Sequence, residues 1–272
     1  MAQNKDYILG TDNEELKRLW IQHNVWKPYV LESWQRAGIT TGHKVIDIGA
    51  GPGFASIDLA EMIGETGEVH SIERSGNFIK SIEKLSSTGN HTNIKAYELD
   101  LITDDFPEIK VDATWCRWVA CFLSDPKKLI QKISAALKKG GVSIFFEYSD
   151  YSTWRFAPQN SVLESFVKEV MKSWRETGGE PDIALSLPTL LLNADFKIRS
   201  VKPHIFCVRP NEFIWEWPSS FIENNVVRLL ELGKVTTDWT INVKNELQKA
   251  ESNLNTYMIT PMVLEIIAEK SL

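Results

Sequence analysis

Val45-Ile46-Asp47-Ile48-Gly49-Ala50-Gly51-Pro52-Gly53 runs from a short apolar strand through a glycine-rich turn toward a helix that starts near Phe54. Glycine is needed where a chain turns with positive φ or where a ligand lies directly against backbone. The spacing is G-x-G-x-G, and Phe54 stands where the dinucleotide fingerprint G-x-G-x-x-G requires its third glycine. By itself the loop is weak information. Three acids in register with it make it stronger.

Asp47 lies two residues before Gly49, where it can hold the turn and reach an ammonium group. Glu73 closes the next apolar run, Val69–Ile72, at the position where a carboxylate accepts hydrogen bonds from a ribose diol. Asp100 ends a third run, Ile94–Leu99, and can accept from an exocyclic amine, with Leu101 and Ile102 offering apolar contact to a ring. Ligands of parallel sheets bind beyond the carboxyl ends of the strands, so the three acids are expected to line one crevice. None suits pyrophosphate. The implied ligand is a nucleoside with a cationic tail.

The surrounding pattern supports that sheet. Apolar runs alternate with helical stretches: Phe54–Ile63, Phe78–Leu85, Val111–Cys116, Pro126–Lys138 and Val142–Phe146 follow in order. Such alternation predicts a parallel sheet covered by helices on both faces. Asp125-Pro126 reads as an N-cap followed by Pro at the first helical position, and Gly140 as a left-handed helix terminus. Upstream, Thr11…Glu14 reads as a capping box, with a break expected at Lys27-Pro28. Downstream, Ser161…Glu164 reads as a second box opening an amphipathic helix that Gly178-Gly179 ends. A short helix over 183–194 is expected to bend at Pro188. Phe196–Val201 and Ile205–Val208 read as one strand interrupted at Lys202-Pro203, paired with a last strand over 262–268. Between them, 210–254 reads as a helical lid inserted between neighbouring strands.

At these residues the chain resembles the class I S-adenosylmethionine-dependent methyltransferases, of the bacterial small-molecule type. The resemblance covers roughly residues 40–208 plus the final strand. It is carried by the Asp47–Gly53 segment, Glu73, Asp100, Trp115-Cys116-Arg117-Trp118, and Leu137-Lys138-Lys139-Gly140-Gly141. Tyr7-Ile8-Leu9-Gly10 and the Arg18…Gln22 helix match more loosely.

The resemblance implies a Rossmann-like α/β fold with a seven-stranded sheet ordered 3-2-1-4-5-7-6, the last strand antiparallel. Residues 37–209 and 255–272 would form it, with a helical cover over 1–36 and the lid over 210–254. It also implies in-line methyl transfer from S-adenosylmethionine. Carried over by position, Gly49, Ala50, Gly51 and Gly53 would contact the methionine part, Glu73 the ribose, and Asp100 with Leu101 the adenine. Cys116 and Arg117 would lie beside the methionine tail, and Tyr7 and Gln22 would cover the cofactor. Nothing after the fourth strand matches the Asn-Pro-Pro-Tyr motif of amino methyltransferases, and no acidic cluster suggests a bound metal.

Blander readings stand beside several of these. Arg117 reads equally well as a salt-bridged structural residue, and Tyr7 and Gln22 as ordinary packing. His23 reads as a satisfied core histidine rather than a base, and Cys121 and Cys207 as small buried hydrophobes. Tyr148, Asp150 and Tyr151 follow the fifth strand and are catalytic candidates by position alone. Phe213, Trp215, Trp217 and Phe221 open the insertion and read first as packing aromatics, otherwise as walls of a substrate pocket. Two other functions compete: a non-catalytic cofactor-binding or partner-binding protein, and an NAD-dependent oxidoreductase, which Phe54 disfavours.

Composition bounds the partners. The 272 residues carry 36 acidic and 30 basic side chains, a net charge of −6, which favours a small-molecule acceptor over nucleic acid. Three cysteines with no C-x-x-C pair make neither a disulfide framework nor a zinc site. The N-terminus lacks an apolar signal segment and no apolar run reaches membrane-spanning length, so a soluble cytoplasmic protein is expected. Oligomeric state is left open.

Overall fold

The structure is a computed structural model that describes residue 11 and residues 13–271. Ten strands and eight α-helices are present among these residues, with four short 3-10 turns between them.

Strands β1 (Lys44–Ile48), β2 (Glu68–Glu73), β3 (Ile94–Glu98), β4 (Val111–Arg117) and β5 (Leu137–Asp150) form the parallel part of a seven-stranded sheet. The last strand of the chain, β10 (Met262–Lys270), inserts antiparallel between β5 and β7 (Phe196–His204). The order is β3-β2-β1-β4-β5-β10-β7, with β7 and β10 as the sixth and seventh strands of this sheet. This is the expected Rossmann-like arrangement. The central strands β1, β4 and β5 are apolar on both faces because helices cover both sides. Val45, Ile46, Trp115, Cys116, Ile144 and Phe145 are accordingly buried.

Helices α2 (Phe54–Ile63), α3 (Gly76–Thr88), α4 (Pro126–Ala136) and α6 (Leu187–Leu192) belong to the crossovers. Asp125 caps α4 as expected, its side chain accepting from the Lys128 N–H. The remaining helices are α1 (Asn13–Ala37), α5 (Ser161–Glu176), α7 (Glu216–Glu231) and α8 (Thr237–Ser252). Helix α7 packs on α1, α5 and α8, so the inserted segment sits on the N-terminal helix. None of the described helices is long and apolar enough to cross a membrane.

Several local expectations are corrected. Helix α1 runs through Pro28 without a break. An interior proline costs ~3 kcal/mol, but Val25 and Trp26 before it and Val30 and Trp34 after it are all buried. Burial of large apolar side chains at ~1.5–3 kcal/mol each outweighs the lost bond. The cap of α5 is Asn160, which accepts from the N–H groups of Val162 and Leu163, and Ser161 is the first helical residue. Helix α4 ends at Ala136, and Gly140, with φ of +73°, lies within β5. Instead of one helix over 183–194 there is a 3-10 turn at Ile183–Leu185, and Pro188 lies in the first turn of α6.

Strand β7 continues through Pro203, which an edge strand tolerates because its outer N–H positions need no partner. The chain then leaves the sheet: β8 (Cys207–Val208) joins β6 (Arg155–Ala157) and β9 (Tyr257–Ile259) in a second, three-stranded sheet with order β6-β9-β8. Strands β8 and β9 thus bracket the inserted helices. Cys207 is exposed there rather than buried, whereas Cys121 is buried as expected.

Candidate active site

The register puts Ile48 of β1 beside Ile72 of β2 and Cys116 of β4, so the loops after all three strands emerge at one edge. They surround a cavity of about 400 Å³, within the size range of pockets that hold one cofactor or substrate. Asp47, Gly49, Ala50, Gly51, Glu73, Asp100, Leu101, Arg117 and Gln22 all line it. The three acids and the glycine bend therefore share one crevice.

Gly49, Gly51 and Gly53 have φ of +65°, +54° and +94°. A Cβ at Gly49 would run into the side chain of Val119, and one at Gly53 would lie 2.7 Å from Cγ1 of Ile82. Those two glycines are required by packing. At Gly51 a Cβ would meet nothing within 4 Å among the described residues. Gly53 itself does not line the cavity and serves as the N-cap of α2.

Glu73 does more than the sequence suggested. Its Oε1 accepts from the N–H groups of Arg74 and Ser75, each at 2.9 Å, and its Oε2 from the Gly51 N–H at 2.9 Å. A carboxylate has about four acceptor positions, so one, on Oε2, remains for a ligand hydroxyl. Burial raises the Glu73 pKa, and the three backbone donors oppose the rise. Asp100 behaves similarly: its Oδ1 accepts from the N–H groups of Ile102 and Thr103, shaping the turn that carries Leu101 into the cavity.

Asp47 is 2% exposed and its Oδ2 accepts from Ser56 Oγ at 2.6 Å, which in turn accepts from Ser71 Oγ. Burial raises its pKa to about 6, with Ser56 and Arg117 opposing. Arg117 faces the same space. Burial lowers its pKa to about 10, so it stays cationic at neutral pH. Its Nη2 lies 3.4 Å from His23 Nδ1, while its buried Nη1 has no hydrogen-bond partner among the described residues. A buried guanidinium N–H without a partner is costly and marks a place for an acceptor.

Other expectations separate from the cavity. Cys116 is fully buried in β4 and does not line it. Tyr148 and Tyr151 are buried in an aromatic cluster, with ring centroids 4.8 Å apart, and neither reaches the cavity. Tyr148 packs in the core against Trp118, Tyr151 and, on α5, Trp174. Asp150 accepts from the Ser152 N–H and hydroxyl, capping a turn. Tyr7 lies outside the described residues.

Comparison with known proteins agrees with this fold. The family model described as "Methyltransferase domain" matches residues 39–194, more than half of the chain. The chain belongs to the methyltransferase-domain family. Its fold is that of the class I S-adenosylmethionine-dependent methyltransferases. Among curated relatives, a ubiquinone/menaquinone biosynthesis C-methyltransferase UbiE of Pseudomonas fluorescens is 26% identical over 50% of this chain and 56% of its own. The chain thus spans about half the length of the curated relatives it matches. Among solved structures, the YcgJ protein of Bacillus subtilis superposes with a TM-score of 0.58 at 13% identity, covering 92% of this chain and 99% of that one. A phosphoethanolamine N-methyltransferase 2 of Haemonchus contortus, solved with phosphomonomethylethanolamine and S-adenosylhomocysteine, gives 0.58 at 15% identity over 93% and 57%. At such identities the likeness shows the fold alone.

The wall of this methyltransferase domain contains residues that the sequence did not single out for the site. Leu19, Phe54, Phe78, Phe122 and Leu123 supply apolar surface. Trp118 lines the cavity with a left-handed backbone, φ +51°, a conformation a bulky residue adopts only when held. Its N–H donates to the Phe146 carbonyl, and its ring stacks with those of Tyr148 and Trp217. Glu147, fully buried behind the turn, accepts from the N–H groups of Val119 and Ala120 through Oε1, at 2.7 and 2.8 Å. A lone acid inside the apolar β5 run was the available signal.

Burial raises the Glu147 pKa to about 7, against the two backbone donors. A raised folded pKa means that the folded state holds a proton the unfolded chain releases. The stabilisation is present below the unfolded carboxylate pKa and lost as pH rises toward 7. Glu147→Gln, which keeps the Oε1 acceptor, should flatten the decline in melting temperature between about pH 4.5 and 7. Thermal melts across that range check this, and an unchanged slope would contradict it.

Proposed function

We propose that the protein transfers a methyl group from S-adenosylmethionine to a small molecule. The observation that carries this is the convergence of Asp47, Glu73, Asp100 and Arg117 on one cavity beside the open face of Gly51. The residues suit the cofactor: Asp47 meets an ammonium, the unpartnered Arg117 Nη1 a carboxylate, the remaining Glu73 position a ribose hydroxyl, and Asp100 with Leu101 the adenine. Gln22 Oε1 accepts from Arg18 Nη1 at 2.9 Å, so its amide nitrogen is left to donate into the cavity. When bound, S-adenosylmethionine supplies an activated methyl on a sulfonium. The chain's own work is to orient, to exclude water and to hold the acceptor in line, which can lower a barrier by ~7–11 kcal/mol.

The acceptor end is formed by Leu19, Phe54, Trp118, Phe122 and Leu123 and offers aromatic and apolar surface without a histidine. His23 lies behind that wall, bonded to Asp58. An apolar surface with no base among the described residues suits a flat acceptor whose nucleophile is an amine, or an oxygen that ionises unaided. Carbon methylation of an electron-rich ring is a second reading, favoured by the names of the curated relatives. Helices α7 and α8 would act as the lid over this end, with Trp217 resting on Trp118. Calorimetry should detect S-adenosylmethionine and S-adenosylhomocysteine at micromolar Kd, and Asp100→Ala should weaken both by at least tenfold. Labelled-methyl turnover over amines, phenols and quinols then identifies the atom. No heat from either ligand on folded protein would refute the proposal, and binding without turnover would favour a non-catalytic protein.

A further inference from the structure

Behind the cavity wall a chain of polar groups runs from the protein surface to Arg117. Lys27 Nζ, part-exposed on α1, lies 2.7 Å from Asp58 Oδ1, and Asp58 Oδ2 lies 3.0 Å from His23 Nε2. His23 Nδ1 lies 3.4 Å from Arg117 Nη2. Asp58 is on α2 and His23 on α1, and both are nearly buried.

The hydrogen bonds set the tautomer. Arginine only donates, so His23 Nδ1 must accept. His23 Nε2 must then carry the proton and donate to the Asp58 carboxylate. Only the neutral imidazole satisfies both neighbours. Burial favours that form, lowering the His23 pKa, with Arg117 and Lys27 acting in the same direction and Asp58 against them. His23 has no opening to the cavity, so it cannot touch a reacting atom there. Its ring packs against Phe54, which does line the cavity, at 5.8 Å between centroids. The guanidinium also rests over Trp115 and Trp118, at 5.9 and 5.2 Å from the ring centroids. Held by one Nη2 bond and two rings, it leaves Nη1 as its buried donor without a partner among the described residues.

We infer that His23, fixed by Asp58, is a positioning residue that aims the Arg117 Nη1–H at the carboxylate of the ligand's amino-acid tail. The inference rests on the adenosyl-site reading above and adds to it the residue that sets the site's preference for a carboxylate. Such a role predicts a loss confined to one end of the ligand. Affinity for the carboxylate falls, while contacts to ribose and adenine, made by Glu73 and Asp100, are unaffected.

The test titrates intact protein with S-adenosylhomocysteine and with its decarboxylated analogue, which keeps the amine, thioether, ribose and adenine. Wild-type protein is expected to prefer the carboxylate-bearing ligand by roughly tenfold or more, the usual strength of one charge-assisted bond. His23→Leu should remove most of that preference by weakening S-adenosylhomocysteine alone. His23→Asn, which keeps an acceptor near the place of Nδ1, should restore part of it. Melting curves confirm that each variant is folded. Equal weakening of both ligands by His23→Leu, or an unchanged preference, overturns the positioning role. Wild-type protein that binds both ligands equally overturns the pairing of Arg117 with the carboxylate. Wild-type protein that binds neither overturns the adenosyl-site reading itself, and the role of His23 with it.

Discussion

Gly49→Ala is expected to abolish detectable cofactor binding and to lower the melting temperature by many degrees. The added methyl faces two obstacles at once. Its backbone sits at φ +65°, where an L-residue pays ~1–2 kcal/mol. Its Cβ would also collide with Val119, whose Cγ1 it would approach to 3.2 Å and whose Cγ2 is nearer still. Overpacking of this kind costs a further ~1–3 kcal/mol. Val119 cannot retreat easily, because its own N–H is tied to the buried Glu147 and the preceding Trp118 is stacked with two other rings. The strain therefore spreads into the wall beside Arg117. Gly51→Ala is the control: its backbone is also left-handed, φ +54°, but its Cβ meets nothing among the described residues. It should cost only the backbone strain in stability while still weakening the ligand. Differential scanning calorimetry and ligand titration on both variants separate the two. Equal melting temperatures would contradict the packing account of Gly49.

Glu73→Gln should weaken S-adenosylhomocysteine by about a hundredfold or more, although the replacement is nearly isosteric. The carboxylate satisfies three backbone donors, from Gly51, Arg74 and Ser75. Glutamine has one acceptor oxygen. If that oxygen keeps Arg74 and Ser75, the amide nitrogen points its hydrogens at the Gly51 N–H. A buried donor left unsatisfied costs ~1–3 kcal/mol. The glycine bend then loses its tether to β2, and the last acceptor position facing the ligand is lost as well. Removing a bond to a charged acceptor adds ~1.5–3 kcal/mol to the binding penalty. Glu73→Asp is expected to do comparable damage, because its shorter side chain cannot reach both Gly51 and Ser75. Titration calorimetry measures this, and an affinity within threefold of wild type would refute the tether.

Much of the site was legible because its parts are tied to strand ends. Asp47, Glu73 and Asp100 each close an apolar run, and parallel strands bring such closures to one edge whatever the loops do. Arg117, one residue past the last buried position of β4, belongs to the same logic. What failed shows the limits of local pattern. Pro28 reads as a helix breaker because its penalty is local. The burial of Trp26 and Trp34 that overcomes it comes from residues more than 80 positions away, in β4 and β5, where Trp34 meets Trp115 and Trp26 meets Phe146. Pro203 likewise reads as a strand break until β7 is known to be an edge.

The candidates after β5 lie away from the cavity for a related reason. Tyr148 and Tyr151 sit where catalytic side chains of such sheets often emerge, but α5 brings Trp174 against both, Trp118 stacks on Tyr148, and both tyrosines are buried. No spacing within 140–155 announces that. Glu147 is the reverse case, since an acid inside an apolar strand is visible, but the two N–H groups that justify it belong to a turn some 27 residues earlier.

The amino-acid sequence alone determined the strand–helix alternation, the sheet order implied by resemblance, and the crevice lined by Asp47, Glu73 and Asp100, because periodicity and strand ends are local features that survive any packing. Only the tertiary structure decided which oxygen of Glu73 is spoken for, that Gly49 answers to Val119, that Trp118 is held left-handed at the rim, and that His23 stands behind Arg117. Each of these is set by atoms from two or more distant segments meeting within a few ångströms, and short-range pattern holds no information about such meetings.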